Sequence, residues 1–309
     1  MVKLFFETLT PLHISNGNKL AFGLEYTIRN DVFRKFNFER ISATLGKERA
    51  FNFSEEISVK KITEIIDNHF DKYNEGDYFY KIKLHPKFYE LVNNPNARGQ
   101  KFVQEFINSN GRFYIPGSSV KGSLLTILNL DYLGIANNDD ARIEDKFVIR
   151  DSEYLNPENF IVYSTEDRPP SNNLMCLKPK NSFEIDILKM GTLNKDILIN
   201  RLKSYSETQI NLAKNNLLPY KGRGGKIKGA DLFEEGLESL LKYELKSDEY
   251  LINIGFGGGS WFKVFEKTVP KFESKIKGKK SVQEPAHTSF SVFLNKQTNH
   301  IGWCKIKID

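Results

Sequence analysis

A chain of 309 residues that is 39% hydrophobic, with 24 Phe and 13 Tyr, can enclose a sizeable core, which excludes disordered, collagenous and coiled-coil classes. Lys and Arg outnumber Asp and Glu by 45 to 39, but residues 250–309 alone hold ten lysines against Glu266, Glu273, Glu284 and Asp309, so the first 249 residues balance to zero. A neutral body with a basic C-terminal fifth points to a phosphate-bearing partner, a solvated lysine face being the alternative. No apolar run reaches 18 residues, and Met1 to Glu7 lacks the features of a signal peptide, so a cytoplasmic protein with no membrane partner is expected. Cys176 and Cys304 form neither a disulfide framework nor a zinc pair.

In chain order, residues 2–9 read as a strand, and 24–29 with 32–38 as a hairpin around Asn30-Asp31. Helical spacing of Ile57, Ile62, Ile65, Ile66, Phe70 and Tyr73 predicts a helix, and the alternation in 77–85 a strand. Residues 99–108 are expected to be helical. A strand end and turn at 113–117 then lead into a helix over 118–135, capped by Ser118 and Ser119. Further strands are expected at 146–150, 160–164, 174–178, 183–188, 250–254, 289–294 and 300–308, with helices at 195–215 and 231–245. This irregular mixture predicts an α+β fold of two ferredoxin-like units with inserted loops, divided at about 1–165 and 166–309 and free to interleave. Residues 219–229 and 271–280 read as structureless basic loops; Lys221, Arg223, Lys226 and Lys228 lie in the first.

Three motifs could carry chemistry. Ile115-Pro116-Gly117-Ser118-Ser119-Val120-Lys121-Gly122 delivers a glycine turn, two hydroxyls and a lysine into the first turn of a helix, where free N–H groups and the helix dipole favour phosphate. Capping alone also accounts for the serines. The Lys121-Gly122 order is not that of a P-loop. Gly255-Phe256-Gly257-Gly258-Gly259-Ser260-Trp261-Phe262-Lys263 follows a strand, and its bare backbone, aromatic ring and lysine suit a nucleic-acid strand. A dinucleotide fingerprint would need glycine in place of Ser260. The third motif is a strand exit at Thr10-Pro11-Leu12-His13-Ile14-Ser15-Asn16-Gly17.

Together these motifs resemble the RAMP superfamily of CRISPR effector proteins. Gly302-Trp303-Cys304-Lys305-Ile306, the glycine-rich loop and the length are similar to the fifth-subunit family of type III-A Csm complexes. The resemblance implies RRM-like ferredoxin folds and a subunit that binds CRISPR RNA. Such a subunit caps the guide's 3′ end beside the repeating backbone subunit and the small subunit, meets target RNA indirectly, and supports assembly and guide maturation in antiviral defence. Carried over by position, Pro116, Gly117, Ser118, Ser119, Lys121 and Gly122 would contact the guide, Gly255, Gly257, Gly258 and Gly259 would form the glycine-rich loop, and His13 and Gly17 would lie in the N-terminal turn. Ser260, Trp261 and Lys263 join the set through their motif, and the 219–229 cations through charge alone.

Catalysis is not expected, and neither a cofactor nor a metal is. The resemblance implies that the backbone sibling cuts target RNA with an aspartate just beyond the N-terminal turn; here Glu25 is the nearest carboxylate. Only His13 of the five histidines sits in a motif that could serve metal-free RNA cleavage. The open alternatives are another RAMP subunit of Csm-backbone or Cmr type, a CRISPR RNA-processing endoribonuclease, and a nucleotide-binding enzyme using the glycine-rich loop.

Overall fold

A computed structural model of the chain describes residues 1–41, 75–93, 101–128, 147–164, 173–191, 193–221, 230–256, 272–276, 279–283 and 300–309. Its strands are β1 (Val2–Thr8), β2 (Ser15–Ala21), β3 (Tyr26–Arg29), β4 (Val32–Phe36), β5 (Tyr78–Leu84), β6 (Phe102–Phe106), β7 (Asn108–Ser109) and β8 (Arg112–Phe113). They continue with β9 (Phe147–Ile149), β10 (Phe160–Ser164), β11 (Asn173–Leu177), β12 (Ser182–Met190), β13 (Glu249–Asn253), β14 (Phe272–Ile276), β15 (Lys279–Gln283) and β16 (Trp303–Ile308). The helices are α1 (Pro86–Asn93), α2 (Gly117–Leu128), α3 (Lys195–Lys221) and α4 (Ala230–Leu241). None of the described helices is long and apolar enough to cross a membrane.

The mixed α and β content expected from the sequence is present. Five strands form one sheet in the order β13-β16-β1-β12-β9, every neighbour antiparallel. Seven form a second sheet in the order β2-β6-β11-β10-β5-β4-β3, in which β6 with β11 and β10 with β5 run parallel. Both sheets draw strands from either side of residue 165. One apolar core joins them: Leu4 and Phe6 of β1, Phe33 and Ile82 of the second sheet, and Leu124, Leu198 and Leu237 of the helices all belong to it. α2 packs on β9 and α3 on β13, so the helices cover one face of the five-stranded sheet.

Local chemistry explains most elements. Asn30 and Asp31 both adopt positive φ (50° and 56°), the pair of left-handed residues that a two-residue hairpin turn between β3 and β4 requires. In β5, Tyr80, Ile82 and Leu84 are buried while Lys81 and Lys83 face out, the period-two pattern of a half-buried strand.

Two expectations are corrected. Residues 102–106 are a strand rather than part of a helix: Phe102-Val103-Gln104-Glu105-Phe106 is short enough to fit either period, and pairing with β2 and β11 decides it. Residues 272–276 and 279–280, within the 271–280 segment, are not structureless, because β14 and β15 pair antiparallel with Lys275 opposite Lys280. The expected 57–73 helix and 289–294 strand lie outside the described residues.

Candidate functional site

The N-terminal turn is held almost wholly by backbone bonds from remote segments. Leu9 and Thr10 donate their N–H groups to the Trp303 carbonyl (2.9 and 3.2 Å), Gly302 donates to Pro11 O (2.8 Å), and Phe256 donates to His13 O (2.8 Å). Leu12 and Leu177 exchange N–H···O bonds of 2.9 and 2.8 Å. The strand exit, the root of the glycine-rich loop and the C-terminal Gly-Trp pair are thus one unit. Glycine is required at two joints. Gly255 (φ 72°) would place a Cβ 2.5 Å from His13 O, and Gly302 (φ 85°) would drive one into the Ile254 carbonyl.

His13 does not face outward as an RNA contact would. Its ring is fully buried, edge-on to Phe106 and Phe256, and Nδ1 lies 2.7 Å from Met175 O, so the proton sits on Nδ1 and Nε2 is a buried acceptor. Burial, partly opposed by the bond to Met175, lowers its pKa from 6.5 to about 4. The unfolded chain therefore binds an extra proton between those values. Stability is full above pH 6.5 and falls towards pH 4, by about 3 kcal/mol in all. Denaturant midpoints of the wild type are expected to drop over this window, with a flatter profile for His13→Gln; parallel profiles would contradict the assignment.

Gly17 occupies an exposed bulge of β2, at φ 87°, with open space around its Cβ position. Its neighbours are tied inward to Glu105, a residue the sequence did not single out. Glu105 Oε2 accepts Asn16 Nδ2 (2.8 Å) and Asn18 Nδ2 (3.4 Å), and Oε1 accepts Lys35 Nζ (2.7 Å) and Tyr80 OH (2.6 Å). Burial alone raises the carboxyl's pKa, but Lys35, Tyr80 and Asn16 outweigh it and hold it below the usual range. Glu25 is likewise structural: its Oε2 accepts Ala21 N–H (2.8 Å) across the β2–β3 turn.

The central motif divides into a buried anchor and an outer face. Ile115, Pro116 and Gly117 are buried, and Ile115 N–H bonds Ser152 Oγ (2.8 Å). A Cβ on Gly117 would lie 2.5 Å from both Ile149 O and Arg150 O, so only glycine lets α2 seat on β9. The cap differs from expectation. Asp151 Oδ1, from beyond β9, accepts Gly117 N–H (2.8 Å), and Ser118 and Ser119 lie inside the first turn. That carboxylate already answers the positive helix end, so the open donors expected for phosphate are partly used. Ser118 and Gly122 remain exposed, with Ser119 and Lys121 half-buried beside them. Gly117 packs at the β9 edge and Gly255 follows β13 at the opposite edge, four strand spacings or roughly 19 Å away. Two motifs are brought together and the third is not.

A sequence profile described as the RAMP superfamily matches residues 5–263. The chain belongs to the RAMP superfamily. Curated relatives described as "CRISPR system Cms protein Csm5" come from Methanocaldococcus jannaschii and Streptococcus thermophilus. The first is 24% identical over 317 aligned positions, covering 82% of this chain and 70% of the relative. The second is 26% identical over 263, covering 79% of this chain and 62% of the relative. Among solved structures, a chain of a Csm–crRNA–target RNA ternary complex of a type III-A CRISPR-Cas system superposes with a TM-score of 0.68 at 15% identity over the full length of both chains. T. onnurineus Csm5 superposes with a TM-score of 0.60 at 14% identity over 97% of this chain and 99% of that one. The RAMP fold and a likeness to Csm5 are therefore shared features of this chain.

The open face of the five-stranded sheet in this RAMP protein is charge-paired. Lys3 meets Glu184 (3.0 Å), Lys305 meets Glu7 and Glu249 (3.2 Å each), and Lys307 meets Asp248 (2.6 Å). Glu7, Glu184, Glu249, Lys305 and Lys307 line a shallow depression of about 340 Å³ together with Phe5 and Phe183. Two of the ten C-terminal lysines thus contribute no net charge to an RNA-facing strip. Lys221 ends α3, whereas Arg223, Lys226, Lys228, Gly257, Gly258, Gly259, Ser260, Trp261 and Lys263 lie outside the described residues.

Proposed function

We propose that this RAMP protein is a non-catalytic CRISPR RNA-binding subunit of a type III-A Csm effector complex. It caps the 3′ part of the guide beside the backbone and small subunits and reaches target RNA through the guide. The observation that carries this reading is the construction of the central motif: a buried Ile-Pro-Gly anchor holds Ser118, Ser119, Lys121 and Gly122 outward on a packed helix. Such a surface grips a phosphate backbone and reads no base. The likeness to Csm5 and to a chain of a Csm–crRNA–target RNA complex agrees with it.

The finer fold reading is also a proposal. The segments β1, α2, β9, β12, α3 and β16 follow a βαββαβ order, and their strands lie β16-β1-β12-β9, as in a ferredoxin-like unit extended by β13. All strands of the seven-stranded sheet are inserted between β1 and α2 or between β9 and β12. The two units of this division interleave, and the connection from β10 to β11 near residue 165 lies wholly within the second.

The test is native mass spectrometry of the purified complex, with wild-type protein and with Lys121→Ala. One copy per complex is expected, and the variant should release guide RNA at lower salt, its log–log salt slope reduced by about 0.7, one single-strand phosphate contact. Several copies per complex would overturn the cap, and an unchanged slope would overturn the role of Lys121.

A further inference from the structure

The open face of the five-stranded sheet changes character along its width. Strand alternation puts Lys3 and Phe5 of β1 and Glu184 and Asp186 of β12 on this side, away from the buried Leu4, Phe6, Ile185 and Ile187. Towards β13 the charges cancel, since Lys305 and Lys307 meet Glu7, Glu249 and Asp248. At β12 they do not. There the segment that follows β9 closes a second depression of about 400 Å³, whose lining holds four carboxylates, Asp151, Glu153, Glu184 and Asp186, and a single cation, Lys3.

Lys3 answers one of the four. Its Nζ meets Glu184 Oε2 at 3.0 Å, and Asp151 is taken by the Gly117 N–H of α2. Glu153 and Asp186 form no ion pair among the described residues. Both still act on Lys3 from a distance: Glu184 first, then Asp186 and Glu153, raise the pKa of its ammonium above the ordinary value. The field that holds Lys3 is one that a second cation entering the depression would also feel.

Apolar surface lies beside the carboxylates. Tyr154, in the lining, is 59% exposed, with the Arg112 guanidinium over its ring (5.4 Å to the centre). Phe5 stands between Glu184 and Lys307 in the register, and Leu188, two residues beyond Asp186, is 41% exposed. The two depressions share Ser182, Phe183 and Glu184 and so make one groove across the sheet. From β12 to β13 it crosses three strand spacings, roughly 14 Å, the span of about four or five extended residues. The sheet face of an RRM stacks bases on its aromatics. Here a phosphate backbone would meet carboxylates, so a nucleic-acid strand is repelled where a basic chain is drawn in.

We propose that this groove docks an extended arginine- or lysine-bearing segment of a partner protein, whose cations pair with Glu153 and Asp186 and whose apolar groups cover Phe5 and Tyr154. Charge complementarity sets the occupant: the carboxylates without an ion pair stand next to exposed aromatic surface, and a basic, partly apolar peptide satisfies both. Aromatic contacts within a polar rim are the usual parts of such an interface. The surface goes beyond the RNA-binding reading, since no phosphate contact is asked of it.

The test uses the full-length chain and a fluorescent hexapeptide of alternating arginine and leucine, followed by anisotropy. The double variant Glu153→Gln/Asp186→Asn is expected to bind the peptide about fivefold more weakly, two exposed ion pairs being lost. Glu207→Gln, which removes an exposed carboxylate on α3 outside the groove, should bind as the wild type does. Thermal unfolding of the double variant should match or exceed that of the wild type, since like charges are thinned out. Tyr154→Ala, at an exposed position and expected to lose about fivefold, keeps the test decisive if the double variant folds poorly. Wild-type affinity in both groove variants would overturn the proposal, as would a wild type that does not bind the peptide. An equal loss in Glu207→Gln would also overturn it, because overall charge alone would then attract the peptide. A fluorescent oligouridylate should bind the double variant as tightly as the wild type or more tightly; weaker binding would give the groove to RNA, and the protein partner falls.

Discussion

Glu105→Ala is expected to destabilise the protein by about 3–5 kcal/mol, the usual cost of removing one partner from a buried ion pair. Glu105 is 1% exposed and accepts from four side chains, two of which, Lys35 and Tyr80, are themselves largely enclosed. Alanine would leave the Lys35 ammonium and the Tyr80 hydroxyl facing apolar surroundings, and would free Asn16 and Asn18 to release the Gly17 bulge. In thermal unfolding at neutral pH the midpoint should fall by about 6 °C or more. Because the carboxyl is held below its ordinary pKa, its contribution is present above the unfolded value and is lost as pH falls, so variant and wild type should converge in acid. A loss below about 1 kcal/mol would show that the cluster is not the fastening described. The double variant Glu105→Leu/Lys35→Met should recover part of the loss, since no unpaired charge is then buried.

Trp303→Ala is expected to cost a similar amount, about 3–5 kcal/mol, for a different reason. Trp303 is among the largest fully buried side chains and stands in β16 directly opposite Asn253. Its removal leaves a cavity in the core that close-packed neighbours cannot refill. The bonds that join the turn to this strand are different in kind: Leu9 and Thr10 donate to the Trp303 carbonyl, and Trp303 N–H donates to Thr10 Oγ1 (2.9 Å). They involve main chain at position 303 and survive the substitution. The midpoint should therefore fall steeply while RNA affinity, measured well below it, stays near wild type. Equal losses of both would mean that the indole itself shapes the RNA surface. Trp303→Phe should cost less, because more of the volume is kept.

Much of the fold was legible because it rests on local periodicity. The alternation in β1, β5 and β12, the left-handed Asn30-Asp31 turn and the apolar spacing of α3 and α4 each specify an element without reference to the rest of the chain. β2 was not legible, since Ser-Asn-Gly-Asn-Lys has no strand character and is held extended by β6. The same pairing turned 102–106 from an expected helix into a strand. Part of the candidate site was legible as motif: the Ile-Pro-Gly-Ser-Ser run, the glycine-rich loop root and the N-terminal turn all stand out as residues in order. What each side chain does was not. His13 reads as a possible contact and is a core residue, while Ser118 and Ser119 read as caps and are displaced from that role by Asp151, 34 positions from Gly117.

Charge shows the division most clearly. The ten lysines after residue 250 mark a basic segment in any linear count, yet Lys305 and Lys307 are spent on Glu7, Glu249 and Asp248. Sequence alone determined the superfamily and the elements with a clear period. The tertiary structure decided which glycines admit no side chain and which charges cancel, because electrostatic energy depends on separation in space, and strand register places residues side by side whatever their distance along the chain.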